Sequence, residues 1–433
     1  MEYSNPRSGV RGILKACLIL TLAAGVSASP SHARQDVYQE LLSEVRDRNL
    51  DLQIVSLDTE TASNRVKLSG IWSDPMISTS WSPYRIQTAR GSIRSRVSIS
   101  QQLPFPGYRG LQKEEKRFDV QASGVLYAAT RLQKEFKLKL AIDQIFLIQE
   151  MNRLVDAFAT ELERFEDAAV AQYETGSESL SPILNIQNEQ RYLDLRKQQL
   201  DSDLHDQVLS VSSLLNRQVS ITEFQHLSER PLSSLSSSDI DMLVEEGLES
   251  APQIKMSDIE ITRSDTEIKL SRYDTLPSFT VGIEYIDVAS SELTAVATGR
   301  DAVSVRMAIN VPLGKNRRSV PRELALLQAH KAQVIKESEE VSITEAIRHL
   351  FERYHNLIDQ EKLLRTDLIP RAESVSESAL SAYTTGRTAF LTVLDSKRTS
   401  FNLQVRLLEV INELKVTHAS LERQLGRFVE VSR

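Results

Sequence analysis

Few of the polar side chains in this sequence are spaced for catalysis. His349 and His355 lie six residues apart in a helical segment, which turns them onto different faces, so surface roles fit better than a shared metal ion. The six histidines and five methionines beyond residue 33 do not cluster. There is no phosphate-binding glycine loop, no G-x-S-x-G elbow and no H-E-x-x-H pair. No enzyme, cofactor or metal site is expected. The charged residues that do share a pattern are Arg94, Arg96, Glu284 and Arg306, each set in a segment where apolar and polar side chains alternate. Charges confined to one face of such strands are suited to lining a passage, not to making bonds.

The strands that must position those charges come in two pairs. Ile93, Ser95, Val97, Ile99, Gln101 and Leu103 alternate with Ser92, Arg94, Arg96, Ser98, Ser100 and Gln102. The preceding segment, Asp74 to Tyr84, is a weaker strand with Ile77, Thr79 and Trp81 in phase, and Pro83 and Gly91 mark the turn of a hairpin. Further on, Phe279, Val281, Ile283 and Tyr285 alternate with polar neighbours, a loop runs from Ala289 to Gly299, and Val303 to Val311 forms the partner strand. A soluble sheet lying on a helix gives the same alternation as a transmembrane barrel. Two features favour the barrel: the apolar faces carry no charge, and Trp81, Tyr84, Phe105 and Tyr108 sit at strand ends as an interfacial girdle would. Four strands cannot close, and an open edge is not tolerated in lipid, so the chain must oligomerise. Three chains giving twelve strands is the economical solution.

Long helices connect these hairpins. The 433 residues hold only 15 Gly and 13 Pro, a composition that leans towards helix. From Phe118 to Ala169 one apolar stripe recurs with a period of about 3.6, so Tyr108 to Tyr173 reads as a single helix roughly 100 Å long. Other helices are expected over Val37 to about Lys67, Ile183 to Asn216, Ile240 to Glu249, Gln253 to Tyr273, Val320 to Tyr383 with an interruption at Pro370, and onward to Gly426. Each long helix ends at the same phrase, Tyr173-Glu-Thr-Gly176 and Tyr383-Thr-Thr-Gly386, and ungapped overlay of 173–217 on 383–427 gives ten identities. The chain therefore reads as two copies of one unit, 34–216 and 251–433, joined by a linker at 217–250.

Residues 1–33 read as a secretory signal: Arg7, Arg11 and Lys15 precede the apolar run Ala16 to Val26 and the small-residue site Ser31-His-Ala33, with Ala28 a second cleavage point. The single cysteine, Cys17, falls inside that run and makes a poor lipidation site. What remains carries 49 Lys+Arg against 58 Asp+Glu, an acidic exported chain unsuited to nucleic acid.

The order helix, hairpin, very long helix, glycine turn, helix, given twice after a signal, resembles the TolC-like outer-membrane efflux proteins. Asp74-Pro75, Ser100-Gln-Gln-Leu-Pro-Phe-Pro-Gly107, Tyr173-Glu-Thr-Gly176, Leu276-Pro277, Val311-Pro-Leu-Gly314, Tyr383-Thr-Thr-Gly386 and Val393-Leu-Asp395 carry the resemblance, which spans about Val37 to Arg427. It implies an α+β membrane protein: a homotrimer with a twelve-stranded barrel in outer-membrane lipid and helical hairpins forming a periplasmic tunnel. Its function would be that of a passive exit duct, opened at the tip by a periplasmic adaptor and an inner-membrane pump. It further implies adaptor-binding tips at Gly176, Leu180, Leu184, Gly386, Phe390 and Leu394, and a barrel lumen lined by Arg94, Arg96, Glu284 and Arg306. Asp395 matches one of two acidic positions that narrow the entrance in such proteins, while neutral Thr392 stands at the other. Gln-Gln-Leu-Pro-Phe-Pro-Gly resembles the metal- and cation-efflux branch. The competing expectation is a secreted or periplasmic helical scaffold with soluble sheets and no pore.

Overall fold

A computed structural model of the chain describes residues 30–176, 179–225, 227, 239–290, 298–312 and 314–427. Most of the expected signal segment, the serine-rich stretch of the linker and the tip of the second strand loop lie outside these residues. Helices α1 (Pro30–Arg48) and α2 (Leu50–Ser69) lead into strands β1 (Met76–Thr88) and β2 (Gly91–Leu103), then α3 (Tyr108–Glu174) and α4 (Ser181–Leu215). A 3-10 turn (Ile221–Phe224), α5 (Ile240–Ser250) and α6 (Pro252–Tyr273) come next. The order then recurs with β3 (Ser278–Ala289), β4 (Ala302–Asn310), α7 (Lys315–Leu363), α8 (Ile369–Thr384) and α9 (Phe390–Gln424). At 67 residues α3 is about 100 Å long, as its stripe requires.

All four strands form one antiparallel sheet in the order β1-β2-β3-β4, so the two hairpins join through β2 and β3. Each strand is continued by a helix: α2 enters β1, α3 leaves β2, α6 enters β3 and α7 leaves β4. The helices keep the order of their strands, with α2 against α3, α3 against α6 and α6 against α7. Farther from the sheet α3 packs on α4 and α9, and α9 on α8. The largest core follows α3, where Leu138, Ile145, Ile148 and Leu162 are buried against Ile186, Leu215, Phe224 and Leu394.

Several local expectations give way. The helix expected to run unbroken to Lys67 divides at Asn49, whose Oδ1 accepts from the backbone N–H groups of Asp51 and Leu52 while its Nδ2 donates to Leu214 O (2.9 Å). Pro83 does not turn the first hairpin: β1 runs through it to Thr88, with a register shift between Trp81 and Ile86. A proline is tolerated there because it falls in the irregular stretch between Trp81 and Ile86, where the regular ladder to β2 lapses. The interruption expected at Pro370 in the second long helix is present, but as a change of helix type and not as a chain break. A π turn over Leu364–Leu368 widens the helix immediately before it, and α8 continues with proline in its first turn. That helix also starts at Lys315, not Val320, carrying Pro321 inside it.

The register rebuilds most of the expected faces. Ile77, Ile99, Ile283 and Val305 align across the sheet, and Val97, Tyr285 and Val303 form the next row. All seven are exposed, Val305 to 74%, and belong to a continuous apolar surface. On the other face Ser98, Glu284 and Ser304 align, with Ser100, Gly282 and Arg306 beside them.

Candidate functional site

The two long hairpins reverse through the same backbone device. Gly176 and Gly386 both sit at φ 71° in the left-handed region, and each N–H donates to the carbonyl of the tyrosine three residues back at 2.9 Å. A Cβ at either glycine would meet open space, so the conformation and not crowding calls for glycine. The far ends correspond as well. Asn216 (φ 50°) and Gly426 (φ 65°) close α4 and α9, with Arg217 N–H donating to Ser212 O and Arg427 N–H to Glu422 O. Asparagine is the residue best able to replace glycine in that region, so its presence at 216 leaves the cap intact.

The tips touch each other. Tyr383 Oη donates to Gln172 Oε1 at 2.8 Å, joining the end of α8 to the end of α3. Phe390 packs edge-on against both Phe165 (6.1 Å) and Tyr383 (5.5 Å). Phe390 is 3% exposed and Leu394 0%, because α9 turns both into the core against α3. These two side chains hold the tip together and offer no surface to a partner, which corrects their expected role in docking. Leu180 (47%) and Leu184 (51%) are exposed, as are Tyr173 and Leu391. Leu391 was missed in the sequence. It follows Phe390 and lies off the stripe that Phe390 and Leu394 define, a signal that it must point elsewhere.

Asp395 is exposed, 3.6 Å from Arg398 in the next turn. Arg398 in turn donates through Nε to Glu189 of α4 (2.8 Å), and Lys397 pairs with Glu161 of α3 (2.5 Å). Two ion pairs thus tie α9 to the first hairpin just behind the tip.

In the sheet, Arg306 and Glu284 pair at 2.8 Å on the polar face, where Ser304 also donates to Glu284. Arg96 shares that face by register, opposite Ile286. Arg94 does not. The register steps from Ile93/Val288 to Ser95/Asp287, so Arg94 is the extra residue of a bulge, and its guanidinium pairs with Asp287 at 2.7 Å. Asp287 follows Ile283 and Tyr285 on the apolar face, so the expected lumenal row loses Arg94 to the outer side near the Gly91 end of β2. Strict alternation in the sequence conceals a bulge of this kind.

At the opposite end of the strands an aromatic group gathers around Tyr273, with Phe105 and Tyr108 each 6.1 Å away by ring centroids. Arg109 lies over the Trp72 ring at 4.2 Å. Among the described residues no helix is long and apolar enough to cross a membrane, and no His, Cys, Asp or Glu group is arranged to hold a metal ion.

Sequence reasoning also passed over a buried polar stripe in the middle of α3. Glu135, Lys139 and Asp143, four residues apart, are buried, and so are Lys415 and His418 of α9. Glu135 accepts from Arg46 and Arg131, both at 2.7 Å, and Lys139 pairs with Glu422. Burial alone would raise the Glu422 carboxyl. The neighbouring His418 ring and Lys139 ammonium outweigh it and hold the group at about 2. The i, i+4, i+8 spacing of these charges was the available signal.

Residues 243–427 match the family model described as outer membrane efflux protein. The cobalt-zinc-cadmium resistance protein CzcC of Cupriavidus metallidurans is 25% identical over 196 residues, a match that spans 45% of this chain and 45% of that relative. The fold extends much further. The solved structure of CusC, described in terms of transmembrane channel formation, superposes with a TM-score of 0.74 at 17% identity, covering 91% of this chain and 92% of that one. The outer membrane protein VceC of Vibrio cholerae gives 0.75 at 16% identity, covering 92% and 98%. The sequence likeness to the outer membrane efflux protein model thus lies in residues 243–427, while about nine-tenths of the chain shares the fold of these solved outer-membrane channels.

Proposed function

We propose that this protein is the outer-membrane channel component of a tripartite efflux system: a passive homotrimeric duct, its barrel in outer-membrane lipid and its helices forming a tunnel through the periplasm. The observation that carries the reading is that the sheet and the helical layer end together on matched open edges. On one side β1 continues α2, which exposes Leu50, Ile54, Leu57 and Leu68. On the other β4 continues into α7, which exposes Val320, Leu327, Val334 and Val341 at strict seven-residue spacing, with Leu324 between. A seven-residue apolar seam is what a helix offers to another helix. Leu57 lies nineteen residues before the start of β1 and Leu327 seventeen after the end of β4, so at about 1.5 Å per residue they stand at nearly the same height.

A second copy that pairs β1 with β4 therefore also brings α2 onto α7, and three copies close a barrel of twelve strands. The exposed apolar face then meets lipid, and the Glu284–Arg306 pair with Arg96 lines the lumen. The helical scaffold without a pore leaves this uncovered apolar face unexplained.

The domain reading follows as two units, 34–216 and 251–433, about an equatorial segment at 217–250. The tips meet a periplasmic adaptor, itself coupled to an inner-membrane pump, through Leu180, Leu184 and Leu391, while Gly176 and Gly386 shape the turn and Asp395 contributes a ring at the entrance. The named relative and the Gln101-Gln102-Leu-Pro-Phe-Pro-Gly107 stretch favour metal cations as cargo. The test is fractionation. The duct predicts heat-sensitive trimers released from the outer membrane only by detergent, which conduct ions in planar bilayers. Recovery of a soluble periplasmic monomer would sink the proposal.

A further inference from the structure

Behind the tip, between α3 and α8 and floored by α9, lies a cavity of about 320 Å³. Its two walls are acidic: Glu161 on the α3 side, Glu373 and Glu377 on the α8 side. Glu161 already holds an ammonium group, that of Lys397 at 2.5 Å. The facing pair has no such partner. Glu373 accepts from Gln404 Nε2 at 3.1 Å, and no cation of the described residues lies within ion-pair distance of Glu373 or Glu377. Two carboxylates four residues apart on a helix repel each other, a cost that a bound cation would remove.

A second observation points the same way. Ser376, between them in the chain, is 1% exposed and lines the cavity, yet its Oγ has no hydrogen-bond partner. A helical serine normally returns its hydroxyl to a carbonyl three or four residues back. A buried hydroxyl left without a partner has an acceptor available to an entering N–H donor.

The chemistry selects the ligand. The carboxylates are not gathered as a metal site is, and the cavity is too large for a bare ion. Where the α3 wall meets the floor, the stacked rings of Phe158 and Phe401, 4.6 Å apart, can receive an alkyl stem. We propose that this cavity binds a linear aliphatic polyamine, one ammonium on Glu373 and Glu377 beside Ser376 and the methylene chain along Phe158 and Phe401. Because Glu373 and Glu377 belong to α8 and Phe158 to α3, a ligand seated there bridges the two long hairpins from within. The proposal rests on the cavity and not on the duct.

Spermidine titrated into the full-length detergent-purified protein, followed calorimetrically, tests it. The wild type is expected to bind saturably, and Glu373→Gln with Glu377→Gln to weaken binding at least about tenfold, since charge-assisted contacts are lost. Both residues are exposed, so circular dichroism should show unchanged helix. Ser376→Ala should weaken binding by a smaller factor. Absence of saturable binding by the wild type, equal affinity in the double variant, or equal displacement by magnesium at the same ionic strength would overturn the proposal.

Discussion

Replacing Glu422 by Gln removes the carboxylate that α9 sets against Lys139 and His418 and leaves the side chain's size nearly unchanged. The native group titrates at about 2 against an ordinary 4.5, and a depression of that size is worth about 3 kcal/mol. Only 17% of the side chain is exposed, so solvent screening reduces the figure little. The sign follows from the direction of the shift. A carboxyl with a lowered native value stabilises the fold above its unfolded value of 4.5, and the contribution drains away as the pH falls towards 2. Thermal unfolding of wild type and Glu422→Gln in detergent, followed by far-UV circular dichroism across that range, reads this directly. The variant should unfold at lower temperature near neutrality, and the gap should narrow steadily below about pH 4.5. A gap that stays constant down to pH 3 would show that the variant acts by disturbed packing, and the electrostatic account of the α3–α9 contact would be wrong.

Other consequences concern the tip and the seam. Leu184→Asp or Leu391→Asp should abolish export in a resistance assay while trimers persist, because both side chains are exposed; normal export would remove them from the docking surface. Phe390→Ala should instead lower thermal stability by about 3 kcal/mol, as expected for a buried aromatic, and a change in export alone would restore it to the docking surface. Asp395→Ala should weaken cation block of single-channel current, and unchanged block would exclude it from the entrance.

The parts of the fold that follow from backbone geometry were legible in the sequence. The 3.6-residue stripe of α3, the alternation of β2 and β3, and the two glycines at φ 71° each impose a pattern that composition alone does not erase. What escaped depended on partners distant in the chain. Asn49 breaks a helix because Leu214 O is there to receive its amide, and Arg94 leaves the polar row of the sheet because Asp287 holds it in a bulge. Phe390 and Leu180 are both apolar and both near a turn, yet one meets Phe165 and the other solvent. Leu184 and Leu394 occupy the same place in the overlay and differ in the same way. Site residues on a tip are therefore distinguished by which face packs inward, and that face is fixed by the neighbouring hairpin.

The central claim is that α2 of one copy lies on α7 of the next. The described residues contain no cysteine, so Leu57→Cys and Leu327→Cys can be introduced without competing thiols from them. Oxidation of the doubly substituted protein in intact outer membranes should give covalent dimers and trimers, and neither single variant should give covalent trimers. If the double variant remains monomeric on denaturing gels while the protein still fractionates with the membrane, the proposed closure of three chains through these edges is contradicted.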